Sequence, residues 1–289
     1  MIDSPLIGAA FAPRHGLSGS VSVAAASATL VGRELKHFSD FQAANALYSR
    51  VFGYDDPSFA LNPNLLSSLR DYGGSVVGVF EPDDELIGFA YGFAGRDASG
   101  SDFHYSQSAV VDPRYQGRGV GRELKQLQRR VALRWGHRTM RWAFDPILTR
   151  NGHFNLSTLG AIGITYLPDY YDRPCTDRIV VEWELAELVD PYREQRRAVP
   201  PRLDGARWAE PVEDAAGAVW IPLPTGAELV ASTDTLRGEL ANALQAVLAD
   251  GRVLVDCRRI EPSTVAYLAV PRVITTAAPD LATHSEERA

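Results

Sequence analysis

The sequence predicts an α/β protein (an α+β mixed sheet) with helices on both faces. Three observations carry this. Apolar residues recur at helical spacing in several stretches, short β-branched and aromatic runs lie between them, and glycine or proline closes most elements.

Residues 29–36 read as a first strand. Ser39 or Asp40 caps a helix running to about Phe52, with Phe41, Ala44, Leu47, Tyr48 and Val51 at helical spacing. Asn64 to Tyr72 is a short second helix, stopped by Gly73-Gly74. Strands follow at 75–81 and 86–94, across the acidic turn Pro82-Asp83-Asp84-Glu85. Another strand, 103–112, ends at Pro113, which holds Asp112 extended. Helix 119–135 aligns Val120, Leu124, Leu127, Val131 and Trp135 on one stripe and stops at Gly136. A strand at 139–145, a short helix at 151–159 closed by Gly160, and strands at 162–168 and 178–185 complete the order β-α-α-β-β-β-α-β-α-β-β.

The expected organisation is a loose tail over 1–28, a main domain over 29–189, a Pro- and Arg-rich linker over 190–213, a β-α-β-β module over 214–272 and a tail over 273–289. The module has strands at 218–222, 252–258 and 263–270 and a helix at 232–249. It is short of core for independence, so it is expected to pack on the main domain. The N-terminal stretch does not read as a secretory signal, because Asp3 comes early and Pro13-Arg14-His15-Gly16 breaks the apolar run.

Net charge is −7, unevenly spread: residues 114–141 hold nine Lys/Arg and one acid, Glu123. An acidic chain with one confined basic patch suits a compact polyanion better than a nucleic acid, although a solvated helix face gives the same pattern. No aromatic residues interleave the arginines as a stacking platform, which argues further against nucleic acid. No apolar run approaches the roughly 18 residues of a membrane span. Two cysteines, Cys175 and Cys257, make no disulfide framework; both are expected as inert buried thiols in a cytoplasmic protein.

The stretch "YQGRGVGRELKQLQRR", residues 115–130, is the most informative. A P-loop needs Gly-Lys-Ser/Thr, and that triplet is missing. A dinucleotide fingerprint needs a sixth-position glycine, where this chain has Arg122. What remains is Gln-x-x-Gly-x-Gly, from Gln116 through Gly119 to Gly121, between a strand and a long helix. Such a turn offers backbone N–H groups and a helix N-terminus to an anion, and Arg118, Arg122 and Lys125 add charge.

This strand–turn–helix, together with "RWAFDP" at 141–146, "RNGHFN" at 150–155, "LGA" at 159–161 and "DRIVVEWEL" at 177–185, resembles the GNAT superfamily of acyl-CoA-dependent N-acyltransferases. Within it, the chain resembles a bacterial subgroup with a C-terminal extension, over about residues 30–272. The resemblance implies a GNAT acyltransferase fold with an appended small β-α-β-β module, and acyl-CoA, most simply acetyl-CoA, as co-substrate without a metal. Val110 and Val111 would pair their backbone with the pantetheine arm. Gly117, Arg118, Gly119, Val120, Gly121 and Arg122 would hold the pyrophosphate behind Gln116, and Asn151 and Asn155 would touch the pantetheine or adenosine side. For Asn151, helix capping is a comparable alternative.

The same resemblance implies attack of a neutral amine on the thioester, which needs loss of a proton, an oxyanion partner and a proton for the thiolate. The chain departs from the family here. The segment "FNLSTLG" lacks the usual tyrosine, so Tyr170, Tyr171 or Tyr166 would serve as acid, with packing as their alternative. Gln107 stands where a histidine base is often found, and His104, three residues earlier, falls on the opposite face of an alternating strand. Asp145 is a candidate base acting through water, with turn capping as its alternative. Tyr91, Tyr105 and Gln107 are expected at the acceptor, with Phe93 and the Tyr170-Tyr171 pair nearby and Arg96 or Arg173 as a carboxylate partner. Some members of the subgroup N-acylate amino acids, including succinylation, so a small-molecule amine is the expected partner, with no nucleic acid and no membrane. Many resembling proteins self-associate, so a homodimer is compatible. Two other readings stay open: acyl-CoA decarboxylation or hydrolysis on the same scaffold, and a silent CoA-binding module.

Overall fold

The computed structural model describes residues 30–186, 189–203, 207–227 and 233–273. The tails expected at 1–28 and beyond residue 273 lie outside the described residues, as does part of the expected linker, 204–206. Within the described residues the chain runs β1 (Val31–Glu34), α1 (Phe38–Phe52), α2 (Pro63–Asp71), β2 (Ser75–Phe80), β3 (Leu86–Arg96), β4 (Asp102–Val111), α3 (Val120–Arg134), β5 (Thr139–Phe144), α4 (Thr149–Gly152), β6 (Ile162–Leu167) and β7 (Arg178–Glu184). It continues with β8 (Val212–Glu213), β9 (Val219–Pro224), α5 (Thr233–Ala249), β10 (Arg252–Glu261) and β11 (Thr264–Pro271). The mixed α/β architecture is the one the sequence predicts.

The strands form one sheet in the order β1-β2-β3-β4-β5-β7-β6-β10-β11-β9-β8. Its neighbours run antiparallel except β4 and β5, which are parallel. The C-terminal strands continue this sheet: β10 lies antiparallel to β6, with Leu254 opposite Gly163. A Cβ on Gly163 would come within 3.1 Å of both Leu254 and Ile179, so the glycine permits the close seam.

On one face, α1 and α2 bury Phe41, Leu47, Phe52 and Leu66 against Phe89 and Val110. On the other, the α3 stripe of Val120, Leu124, Leu127 and Val131 packs on Val77, Ile87 and Val111. A third cluster joins β5 and β7 to α5, β9, β10 and β11 through Trp142, Phe144, Leu240, Leu244, Leu254 and Tyr267. The segment 190–198 also lies on the sheet: Tyr192 is buried, and the Arg196 guanidinium donates to the carbonyls of Leu156, Gly160 and Val255.

The short helix expected at 151–159 starts earlier, at Thr149, and widens into a π turn over His153–Thr158. Only one cysteine is the expected buried thiol. Cys257 is buried, but Cys175 is exposed in the β6–β7 connection. No helix among the described residues is long and apolar enough to cross a membrane.

Candidate active site

The site is built where β4 and β5 part. They pair only at His104–Met140 and Tyr105–Arg141. Beyond that point β4 continues along β3 to Val111, while β5 continues along β7 to Phe144. The cause lies in β4, where Gly92 faces Ser106 and Tyr91 faces Ser108, leaving Gln107 as an extra residue in a β-bulge. A bulge bends its strand and raises its twist. Gly92 is required there, since a Cβ would sit 2.4 Å from the Tyr105 carbonyl and 2.6 Å from His104 Nε2. The bulge also cancels strict alternation, so counting residues from Gln107 does not fix which face His104 takes. Past the bulge, the Val110 side chain packs under α1 and Val111 under α3, leaving their backbone along the parting.

The glycine turn follows directly. Asp112 ends β4 buried; its carboxylate accepts from Arg114 Nε and Nη2, from the Arg114 amide and from Arg50. The Arg114 guanidinium, followed by these other donors, holds its pKa down to about 2. Gln116 is buried with Nε2 3.3 Å from the Val111 carbonyl, which ties the turn to the strand. Gly117 and Gly119 take φ of +76° and +85°, and an added Cβ at either would meet nothing within 4 Å. Neither glycine is there to avoid an internal clash; each supplies a left-handed backbone and an open face. Gly119 is the N-cap of α3 and carries no side-chain cap. The first N–H groups of this 15-residue helix therefore point outward with the positive end of its dipole. Arg118 and Arg122 are exposed beside the turn. Lys125, expected with them, instead turns inward: it is 3% exposed and donates to Ser106 Oγ at 2.8 Å.

Across the parting, Trp142 Nε1 donates to Asn155 Oδ1 at 3.1 Å. Asn155 is 1% exposed and its Nδ2 has no hydrogen-bond partner, so a buried donor is presented with nothing to receive it. Asn151 is buried inside α4, whose N-cap is Leu148, so the capping alternative does not describe it. Asp145 is also buried, but its two oxygens accept from Arg237 of α5 at 3.1 Å each and Oδ1 accepts from the Ile147 amide. These contacts favour the turn-capping alternative over a water-linked base: the carboxylate closes the turn before Ile147 and pairs with α5.

Tyrosines gather on the α1–α2 side. Tyr105 and Tyr170 hydroxyls lie 3.3 Å apart, and the Tyr170 and Tyr171 rings are 4.8 Å apart. Phe93 leans on Tyr105, and Tyr91 stacks on Phe89. Tyr48 and Tyr54 complete the group; Tyr91 and Tyr171 are near enough to help burial raise the Tyr48 pKa. Burial pushes Tyr91 up to about 12 and raises Tyr105 and Tyr171, the last opposed by Arg178. These hydroxyls keep their protons at neutral pH and can donate. Tyr166 faces elsewhere, in the cluster under α5.

Three contributors escaped the sequence reading. Arg178 is fully buried, with its guanidinium 5.1 Å over the Tyr171 ring and Nη1 on the Asp177 carbonyl. Arg173 lies 5.8 Å from the same ring, whereas Arg96 is exposed and paired with Asp102. The other two are Tyr48, whose helical spacing reads simply as core, and Tyr54, which lies just past the end of α1.

The acetyltransferase (GNAT) family matches residues 41–151, from α1 to Asn151. Among solved structures, the chain is similar to a GCN5-related N-acetyltransferase from Kribbella flavida, at 20% identity, covering 54% of this chain and 98% of that one, with TM-score 0.42. It is similar to the ribosomal-protein-S18-alanine N-acetyltransferase of Escherichia coli (17% identity, 56% and 98% covered, TM-score 0.42). The structure of yncA from Salmonella typhimurium with its cofactor acetyl-CoA is alike at 19% identity, 56% and 98% covered, TM-score 0.45. Among curated proteins none matches. The family match falls on the stretch that holds the turn, the bulge and the parted strands, so residues 41–151 are similar to the acetyltransferase (GNAT) family where the site is built.

Proposed function

We propose that the protein moves an acetyl or other short acyl group from acyl-CoA to the amine of a small molecule, an amino acid or related metabolite. The observation that carries this is the open, positive-φ glycine turn at the uncapped end of α3, set at the mouth of the β4–β5 parting. A pyrophosphate fits that turn through backbone N–H groups, with Arg118 and Arg122 adding charge. The pantetheine arm would run along Val110 and Val111, and Asn155 Nδ2 would find its acceptor there.

The tyrosine cluster supports the acceptor reading. Aromatic faces receive an amine before it loses its proton. Arg178 and Arg173 beside Tyr171 favour an acceptor that also carries a carboxylate. A backbone N–H at the bulge end of β4 would take the oxyanion. Tyr171 or Tyr170 would protonate the departing thiolate. Gln107 cannot act as base, so the amine gives its proton to water. A cytoplasmic setting is part of the proposal and rests on the two unpaired cysteines.

The test is thiol release from acetyl-, succinyl- and malonyl-CoA, each with and without pooled amino acids and amines. Release that needs the pool supports acyl transfer, and dividing the pool identifies the acceptor. Release without any acceptor would favour decarboxylation or hydrolysis, and none with any substrate would favour a silent CoA-binding module.

A further inference from the structure

We propose that the C-terminal strands and α5 are a clamp on the acyl-CoA site, with Tyr267, Asp256 and Arg237 as positioning residues for Asn155. The proposal rests on the reading above that Asn155 faces the cofactor arm. The matched family stretch ends at Asn151, and Asp256, Cys257 and Tyr267, which contact residues 146–157, all lie beyond it.

The segment from Asp145 to Thr158 has little to hold itself. Its α-helical part is four residues long, and the π turn that follows leaves the usual i−4 ladder. The clamp grips it at both ends. At the entry, Arg237 holds both oxygens of Asp145, and the Tyr267 hydroxyl donates to the Pro146 carbonyl at 2.7 Å. At the exit, Ser157 Oγ donates to Asp256 Oδ1 and accepts from the Cys257 amide at 3.2 Å, while His153 Nδ1 lies 2.9 Å from the Cys257 carbonyl. In between, a Cβ on Gly152 would sit 2.6 Å from the Tyr267 hydroxyl and 2.9 Å from Cys257 Sγ, so the helix is seated directly on β10 and β11.

Asn155 stands between His153 and Ser157, the two gripped residues. Its Oδ1 is fixed by Trp142, so where Nδ2 points depends on where the π turn is held. The clamp therefore sets the direction of a buried donor rather than merely covering a surface, as in the outer ligands that orient metal-binding histidines.

Calorimetric titration with coenzyme A tests this on full-length Tyr267→Phe, Ser157→Ala, Arg237→Met and Asn155→Ala. Leu66→Ala serves as a control that loosens the core under α2 without touching the clamp. Tyr267→Phe and Ser157→Ala are expected to weaken binding about threefold to tenfold each, the worth of one hydrogen bond. Leu66→Ala is expected to melt earlier yet bind as the wild type does. Added to Asn155→Ala, Tyr267→Phe should cost nothing more, because both act through one donor. Should Arg237→Met fail to fold, the single-hydroxyl variants still decide. Wild-type affinity in both of them, with Asn155→Ala weakened, overturns the clamp and leaves the site reading intact. Wild-type affinity in Asn155→Ala overturns both.

Discussion

Lys125 Nζ lies 3.8 Å from the centroid of the Trp142 ring, under the point where β4 and β5 separate. From it a single file of buried donors runs through the sheet: Lys125 to Ser106 Oγ, Ser106 to Gln128 Oε1, Gln128 Nε2 to Ser75 Oγ, and Ser75 to His104 Nε2. The direction of this file leaves His104 as the Nδ1–H tautomer, with that proton unpartnered. Burial, and then the nearby His137 and Lys125, hold the His104 pKa down to about 3, so it stays neutral at physiological pH.

No carboxylate pairs with Lys125 among the described ion pairs, and burial lowers its pKa to about 7. Between pH 7 and the ordinary lysine range the unfolded chain binds more protons than the folded one, so this group's penalty is full below pH 7 and fades as pH rises. Lys125→Met is therefore expected to stabilise the protein more at pH 6 than at pH 9, by on the order of 2 kcal/mol or several degrees in Tm. Thermal unfolding at the two pH values checks it; an equal gain at both would contradict the burial account.

Asp145→Asn separates structure from chemistry. Losing the charge that faces Arg237 should lower Tm clearly, because a half-buried guanidinium loses its buried counter-ion. With the acceptor found, kcat should stay within about threefold, whereas loss of a general base costs ~10²-fold or more. A collapse of kcat in a folded variant would restore Asp145 as the base.

The tyrosine pair should divide by role. Tyr171→Phe is expected to lower kcat at least ~10-fold with coenzyme A affinity unchanged, as loss of a proton donor does. Tyr170, 37% exposed, should matter less, and chiefly in acceptor KM. Steady-state kinetics of both variants, varying each substrate, would read the split; the reverse order would reassign the acid to Tyr170.

Much of the fold was legible because its signals are local. The α3 stripe, the stop at Gly73-Gly74 and the positive-φ turn at Gly117 and Gly119 each follow from spacing or from backbone that glycine alone adopts cheaply. The bulge at Gln107 has no signature residue, so simple alternation along β4 cannot carry a face assignment from Gln107 to His104. Lys125 read as a phosphate contact because it follows the turn, yet Gly121, Lys125, Gln128 and Ala132 lie at helical spacing, and the last three are buried as a second stripe beside the apolar one. The grip of Arg237 on Asp145 and of Tyr267 on Pro146 joins residues about a hundred apart, and nothing in a local pattern announces such pairs.

The most direct test of the central claim is calorimetric titration of coenzyme A into the wild type and into Gly119→Val. Valine at φ +85° strains the turn by roughly 1–2 kcal/mol, and its Cβ enters open space with no atom of the fold within 4 Å. The account predicts saturable binding to the wild type and at least ~10-fold weaker binding to a still-folded variant. Equal affinity in the two folded proteins would mean that the turn does not hold the pyrophosphate, and the acyl-CoA assignment of this site would fall.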